Sequence, residues 1–265
     1  MRFDWLWHNI FRRPYALHSE KHGEDGKPVV VLLHGIAASS DDWSYLIPLL
    51  ALQFQVITID LLGFAKSPKP QWGKYTMEEH IRSIAHTIQL LGLDQEFILA
   101  GHSLGSLLAT RYASKFPGQV SRLLLLSPPI YPPLPSIKKR SAYYRTNWLL
   151  KLYRFLRTHP RMTPSNMRRL SLIVPIPRSI TTYPETWVPF HRTLERCIEQ
   201  QTIERDIAEI TVPIDVFYGL LDSLVIGFNV QNLAKQKDVT VHTFRGQHNI
   251  SRAYAKLVAK ALMRT

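Results

Sequence analysis

The 265-residue chain predicts an α/β fold, with a mostly parallel central sheet flanked by helices and interrupted by one inserted helical segment. Three observations predict it. Apolar strand-like runs alternate with helix-like ones from residue 14 to residue 130. Those runs lack polar alternation, as strands covered on both faces do. The rhythm then breaks between Ser127 and Pro189, which hold 11 of the 18 prolines, and resumes further on. At this length about 73% of the extended chain's surface can be buried, so one domain with an insertion needs no disulfide or metal to hold it.

Taken in order, the chain opens with Phe3, Leu6, Trp7, Ile10 and Phe11 at helical spacing beside Arg12 and Arg13. This apolar stripe marks an N-terminal extension (1–13) that either packs on the body or rests on an anionic membrane surface. Strands are predicted at Val29 to Leu33, Gln55 to Asp60, Glu96 to Ala100 and Val120 to Leu126. Helices are predicted between them at Asp41 to Leu52, Met77 to Leu91 and Leu104 to Phe116. The proline-rich pieces SPPIYPPLP, IVPIP and TTYPETWVP then bracket short helix-like stretches such as Ser141 to Leu156, which makes 131–196 the inserted segment. Strands at Pro213 to Tyr218 and Val239 to Phe244, with a helix over Ile250 to Met263, complete a core of 14–130 and 197–265.

The net charge of +13 is unevenly placed. Residues 131–196 hold 13 Lys and Arg against Glu185 and Glu195, and so supply nearly all of it. Such a segment is a solvated face, or it attracts anionic lipid or an anionic substrate. No nucleic-acid-binding motif accompanies it, so no nucleic acid is expected as a partner. The lone Cys197 excludes an intrachain disulfide and any Cys-cluster metal site, and with it a reducing compartment is expected. No run of about 20 apolar residues is present, and Asp4 and His8 interrupt the start where a signal peptide would be apolar. The expected location is cytoplasmic, peripheral to a membrane at most, with no metal or cofactor.

Gly101-His102-Ser103-Leu104-Gly105 fits G-x-S-x-G, a pattern that chance alone supplies in roughly one chain of this length in ten. Its setting is more specific, because it follows an apolar run and opens a helix-like one. That strand, turn and helix force the serine into strained angles and project it above the sheet. A serine hydroxyl needs a base within reach, and the base needs an acid to orient it. Asp222 and His248 follow the two downstream strands, giving the order Ser103, Asp222, His248. The charge of a tetrahedral intermediate must be met by fixed donors. The backbone N–H groups of Ile36, in the loop after the first predicted strand, and of Leu104, next to the serine, are the candidates.

These motifs resemble those of the α/β-hydrolase superfamily from about Tyr15 to the C-terminus, except through the insertion. HGIAASSDDW is similar to the family's HG-x-x-x-S-x-x-x-W, and DLLGFAKS to its D-x-x-G-x-G-x-S with Ala65 at a usual glycine. GLLDSLV resembles the acid turn, with Ile226 where proline often follows, and RGQHNI resembles the histidine loop. The resemblance implies an α/β-hydrolase fold in which the insertion is a helical lid. His34, His102, Tyr131, Trp148 and Trp187 are then expected to border a small-molecule substrate, with His34 also holding its loop by hydrogen bonding instead of joining proton transfer. A serine nucleophile argues against the dehalogenase and epoxide-hydrolase branches, which use a carboxylate. The expected function is a serine hydrolase of a carboxylic ester, thioester or lipid ester, of the carboxylesterase type. Alternatives are a carbon–carbon bond hydrolase of the ring-cleavage-product type with the same three residues, and a hydrolase-fold ligand receptor with negligible turnover.

Overall fold

The computed structural model describes residues 6–11, 13–158, 184–236 and 239–263. Parts of the expected extension (residues 1–5 and 12) and the middle of the expected insert (159–183) lie outside the described residues.

Among the described residues seven strands form one sheet: β1 (Ser19–His22), β2 (Val29–Leu33), β3 (Gln55–Ile59), β4 (Phe97–His102), β5 (Val120–Leu126), β6 (Ile214–Gly219) and β7 (Val239–Phe244). Their order is β1-β3-β2-β4-β5-β6-β7. β1 runs antiparallel to β3, and the other pairs are parallel. The six parallel strands are those expected. β1 is an addition, because SEKH contains no apolar residue to announce a strand. It is an edge strand whose residues stay partly exposed, so its pairing with β3 rests on backbone bonds rather than burial.

Among the described residues seven α-helices longer than one turn accompany the sheet: α1 (Met77–Leu90), α2 (Leu104–Lys115), α3 (Arg140–Thr158), α4 (Trp187–Thr193), α5 (Ile203–Glu209), α6 (Gly227–Gln236) and α7 (Arg252–Leu262). Thr76 caps α1 and Ser251 caps α7, each side chain accepting a backbone N–H of the first turn. The helix expected from Asp41 to Leu52 is instead two pieces, a 3₁₀ turn at Ser40–Trp43 and one α-turn at Ile47–Leu50. Trp43, Leu46 and Leu50 are all buried, which explains the helical spacing. Pro48 lacks the N–H that would continue the first piece into the second.

Alternate residues of the parallel strands serve opposite faces. Val31, Leu33, Ile57, Ile59, Leu99, Leu123 and Leu125 pack with α1 and α2. Val30, Leu32, Val56, Ala100, Leu124 and Leu126 pack with Trp43, Tyr254 and Val258. Each fully buried Val, Ile or Leu contributes about 1.5–3 kcal/mol relative to exposure, which is why both faces carry uninterrupted apolar residues.

Between β5 and β6 the chain leaves the sheet. α3 buries Ala142, Thr146, Leu149, Tyr153 and Leu156, one stripe of a 3.6-residue repeat. Arg157 on α3 pairs with Glu195 at 2.9 Å and Glu199 at 3.2 Å. On the return, Arg192 donates to the Gln71 and Gly73 carbonyls at 2.9 and 2.5 Å, and Arg196 donates to that of Lys74 at 2.5 Å. Among the described residues no helix is long and apolar enough to cross a membrane.

Candidate active site

β4 ends at His102, and Ser103 stands before the first residue of α2 with φ 53° and ψ −115°. A non-glycine residue there is strained, and the strain persists because strand and helix converge on it. A Cβ on Gly101 would collide with the Gly105 carbonyl, and one on Gly105 with the Leu33 carbonyl. Only glycine lets α2 approach β4 and β2 so closely. The elbow is therefore built by sterics, with Ser103 at its apex.

The acid turn follows β6. Asp222 is buried, and its Oδ1 accepts the Leu224 N–H at 2.9 Å and the Val225 N–H at 3.2 Å. Its Oδ2 lies 2.7 Å from His248 Nδ1. Burial pushes this carboxyl's pKa up, but the His248 hydrogen bond and charge, the Leu224 N–H and a hydrogen bond from Ser127 outweigh it and hold it below the ordinary value. An ionised carboxylate only accepts, so Nδ1 of His248 carries the proton and Nε2 presents a lone pair. Among the described residues Nε2 is not hydrogen-bonded to Ser103 Oγ, a contact that tightens only with substrate in many such sites.

The histidine loop is tied to the elbow through His102. Its Nε2 lies 2.9 Å from the His248 carbonyl, which can only accept, so Nε2 donates. The two rings lie 4.9 Å apart, and the edge of Trp43 meets His102 from the other side at 6.5 Å. Burial, followed by the charge of His248, lowers the His102 pKa to about 3, so this ring stays neutral. Its Nδ1 is buried without a partner.

The loop after β2 abuts the serine, since a Cβ on Gly35 would lie 3.4 Å from the Ser103 Cβ. His34 governs this loop. Its Nε2 accepts the Leu61 N–H at 2.9 Å, which leaves Nδ1 to donate to the Gly35 carbonyl at 2.7 Å. Burial lowers the His34 pKa and keeps the ring in this neutral tautomer. The bonded carbonyl belongs to the Gly35–Ile36 peptide, so His34 sets the direction of the Ile36 N–H. Neither that N–H nor the Leu104 N–H has a protein acceptor among the described residues. The Leu104 group also carries the positive end of the α2 dipole.

The residues expected to border substrate are placed in different ways. His34 is buried and gives both ring nitrogens to backbone groups, and His102 is buried and gives Nε2 to the His248 carbonyl, so both support the loops that carry the site. Tyr131 is buried, with its hydroxyl given to the Leu224 carbonyl at 2.7 Å and 3.0 Å from that of Tyr153. Trp187 stacks near His191 and Phe190 at 4.2 and 6.3 Å. Trp148 stands outward on α3, more than half exposed, so it does not wall an enclosed pocket.

Three supporting residues escape a reading of the sequence. Ser127, at φ 49°, ends β5 beside the strand that leads to Asp222, and Tyr254 stands behind it at 3.2 Å while donating to the Phe217 carbonyl at 2.8 Å. The one signal for Ser127 is its position after a buried strand. Asp42 lies within the field of His248, and burial, with the charge of Asp41, pushes its pKa up to about 6. Among the described residues no group of three or more His, Cys, Asp or Glu side chains is arranged to hold a metal ion.

A strand-turn-helix serine, a histidine held by a buried carboxylate and two unpaired backbone N–H groups at the C-terminal edge of a parallel sheet define the class of the site. The family model of the alpha/beta hydrolase fold matches residues 28–250, and the chain belongs to that family. The probable lysophospholipase BODYGUARD 3 of Arabidopsis thaliana is 35% identical over 127 residues, 46% of this chain and 25% of that protein. The 1-acylglycerol-3-phosphate O-acyltransferase ABHD5 of Homo sapiens is 34% identical over 119 residues, 44% of this chain and 34% of that protein. The match thus spans between a quarter and a third of these curated relatives. The enol-lactonase of Burkholderia xenovorans superposes with a TM-score of 0.71 over 95% of this chain and 98% of its own, at 19% identity, a likeness of fold alone.

Proposed function

We propose that the protein is a serine hydrolase that cleaves a carboxylic ester, with a lipid ester as the substrate class, through an acyl-enzyme on Ser103. The observation that carries this reading is the 2.7 Å bond between His248 Nδ1 and Asp222 Oδ2, which leaves Nε2 as the base beside the strained elbow. In the first half-reaction Ser103 Oγ attacks the ester carbonyl while His248 takes its proton. The oxyanion is met by the Ile36 and Leu104 N–H groups. His248 then gives the proton to the departing alcohol, leaving an acyl-Ser103 ester. Water, deprotonated by the same His248, attacks that ester, and the acid leaves as Ser103 is restored. Asp222 stays ionised throughout and holds the imidazolium. The insert 131–196 acts as the lid, and its return segment 184–196 meets the loop of Gln71 to Lys74 through Arg192 and Arg196.

Two facts support the lipid ester. One partial relative is named a probable lysophospholipase, and another carries a name that concerns an acylated glycerol phosphate. The test is turnover of p-nitrophenyl esters of increasing chain length and of lysophosphatidylcholine, wild type beside Ser103→Ala, with a fluorophosphonate label located by mass spectrometry. The expected result is label on Ser103, turnover abolished by the substitution and a preference for long acyl chains. Label without ester turnover would transfer the assignment to a carbon–carbon bond hydrolase. Neither label nor turnover would leave a ligand receptor.

A further inference from the structure

α3 has two faces, and they differ in burial. Opposite its buried stripe, the outward face carries Tyr144, Trp148 and Phe155, exposed by 55%, 53% and 44%. They stand at i, i+4 and i+11 of the same helix, so they form one line. Arg140, Lys151 and Arg154, all exposed, share or flank that line. Exposed aromatic side chains in such a row cost solvation unless something covers them.

The charge says what covers them. No Asp or Glu occurs between Glu96 and Glu185, a stretch that contains the whole of α3. Among the described residues Lys138, Lys139, Arg140, Arg145, Lys151 and Arg154 have no carboxylate partner, whereas Arg157, on another side of the helix, has two. Arg140 of the outward face instead meets an aromatic ring, 5.8 Å from the centre of Tyr144, and Lys139, just before the helix, lies 5.3 Å from the centre of Phe228. Tyr144, Arg145, Asn147, Trp148 and Lys151 line an open groove of about 450 Å³. The surface of that groove is almost wholly apolar, made by the rings and the stems of the longer side chains, which suits the boundary between headgroups and acyl chains.

We propose that the outward face of α3 is a docking surface for an anionic lipid bilayer, with Tyr144, Trp148 and Phe155 at the headgroup level and Arg140, Lys151 and Arg154 against lipid phosphates. Arg145 of the same helix donates to the Ser223 carbonyl at 3.4 Å, which joins this face to the turn that bears Asp222. Leu220 and Leu221 on that turn are 63% and 60% exposed and add apolar surface beside it. Docking would hold the site at the membrane surface. It requires no chemistry at Ser103, so it stands or falls apart from the proposed reaction.

The test is co-sedimentation of the full chain with phosphatidylcholine vesicles containing about 30% phosphatidylserine, against vesicles of phosphatidylcholine alone, at low and high salt. Binding is expected to the anionic vesicles, weaker by at least tenfold without phosphatidylserine and lost at about 1 M salt. Lys151→Glu with Arg154→Glu should weaken binding on the order of a hundredfold. Tyr144→Ser with Phe155→Ser should weaken it on the order of tenfold. Brominated lipids should quench tryptophan emission less in Trp148→Phe than in the wild type. Circular dichroism of each variant establishes that it is folded. Failure of the wild type to bind anionic vesicles at low salt overturns the proposal. So does binding that both pairs of substitutions leave unchanged. A dimer in sedimentation velocity that the same substitutions dissociate, without any binding to vesicles, would assign the face to a second copy of the chain and overturn it equally.

Discussion

At Asp222 the smallest change has the largest expected effect. The carboxylate accepts from His248 Nδ1 and from two backbone N–H groups. Asp222→Asn keeps its shape but turns an N–H donor toward the ring, favouring the tautomer with the proton on Nε2. In an ester assay kcat is expected to fall about 10⁴-fold with KM little changed. His34 acts one step further out, by holding the Gly35 carbonyl and with it the Ile36 N–H. His34→Gln is expected to lower kcat roughly 10- to 100-fold, with KM within about twofold, because in the proposed mechanism it loosens an oxyanion donor and not a substrate contact. Ser103, Asp222 and His248 could be found in the sequence because each follows a strand at the same end of the sheet. That His34 holds its loop by hydrogen bonding is also an expectation of the sequence, whereas the bond of His102 to the His248 carbonyl is not, since a histidine beside a nucleophile looks the same whether it faces substrate or backbone. Its burial and that bond decide it.

Among the elements, the return of the insert depends on bonds from side chain to backbone. Arg192 and Arg196 donate to the carbonyls of Gln71, Gly73 and Lys74. Arg192→Ala with Arg196→Ala removes these charged donors and is expected to cost about 2 kcal/mol. Limited proteolysis should then cut within 184–196 faster than in the wild type, and Tm should fall by a few degrees. The helices α1, α2, α3 and α7 were legible because their apolar residues recur at three and four positions. β1 was not, because an edge strand pairs by backbone alone. The pieces at Ser40–Trp43 and Ile47–Leu50 read as one helix because burial, and not continuity, sets their spacing.

Across the whole molecule, three buried neutral histidines make stability depend on pH. Burial lowers the pKa of His34, and lowers those of His80 and His102 to about 3. In the unfolded chain each binds a proton near pH 6.5. Between about pH 6.5 and 3 the unfolded state therefore holds more protons, and stability falls as pH falls. His80 and His102 each contribute up to about 1.4 kcal/mol per pH unit once the unfolded chain is protonated, and His34 acts in the same direction. Asp42, pushed up to about 6, binds its proton earlier in the fold than in the unfolded chain and offsets one histidine below pH 6. His80→Gln should lower the slope by about 1.4 kcal/mol per unit. Denaturant melts monitored by circular dichroism at pH 7, 6 and 5 measure this slope directly. By itself the sequence determined the parallel sheet, the family and the order of Ser103, Asp222 and His248, because apolar spacing and strand-end motifs are local in the chain. Only the tertiary structure decided which groups those residues answer to. The link from His102 to His248, the seat of His34 and the exposure of Tyr144 and Trp148 on α3 all depend on what packs across the fold, and no local pattern encodes a neighbour far along the chain.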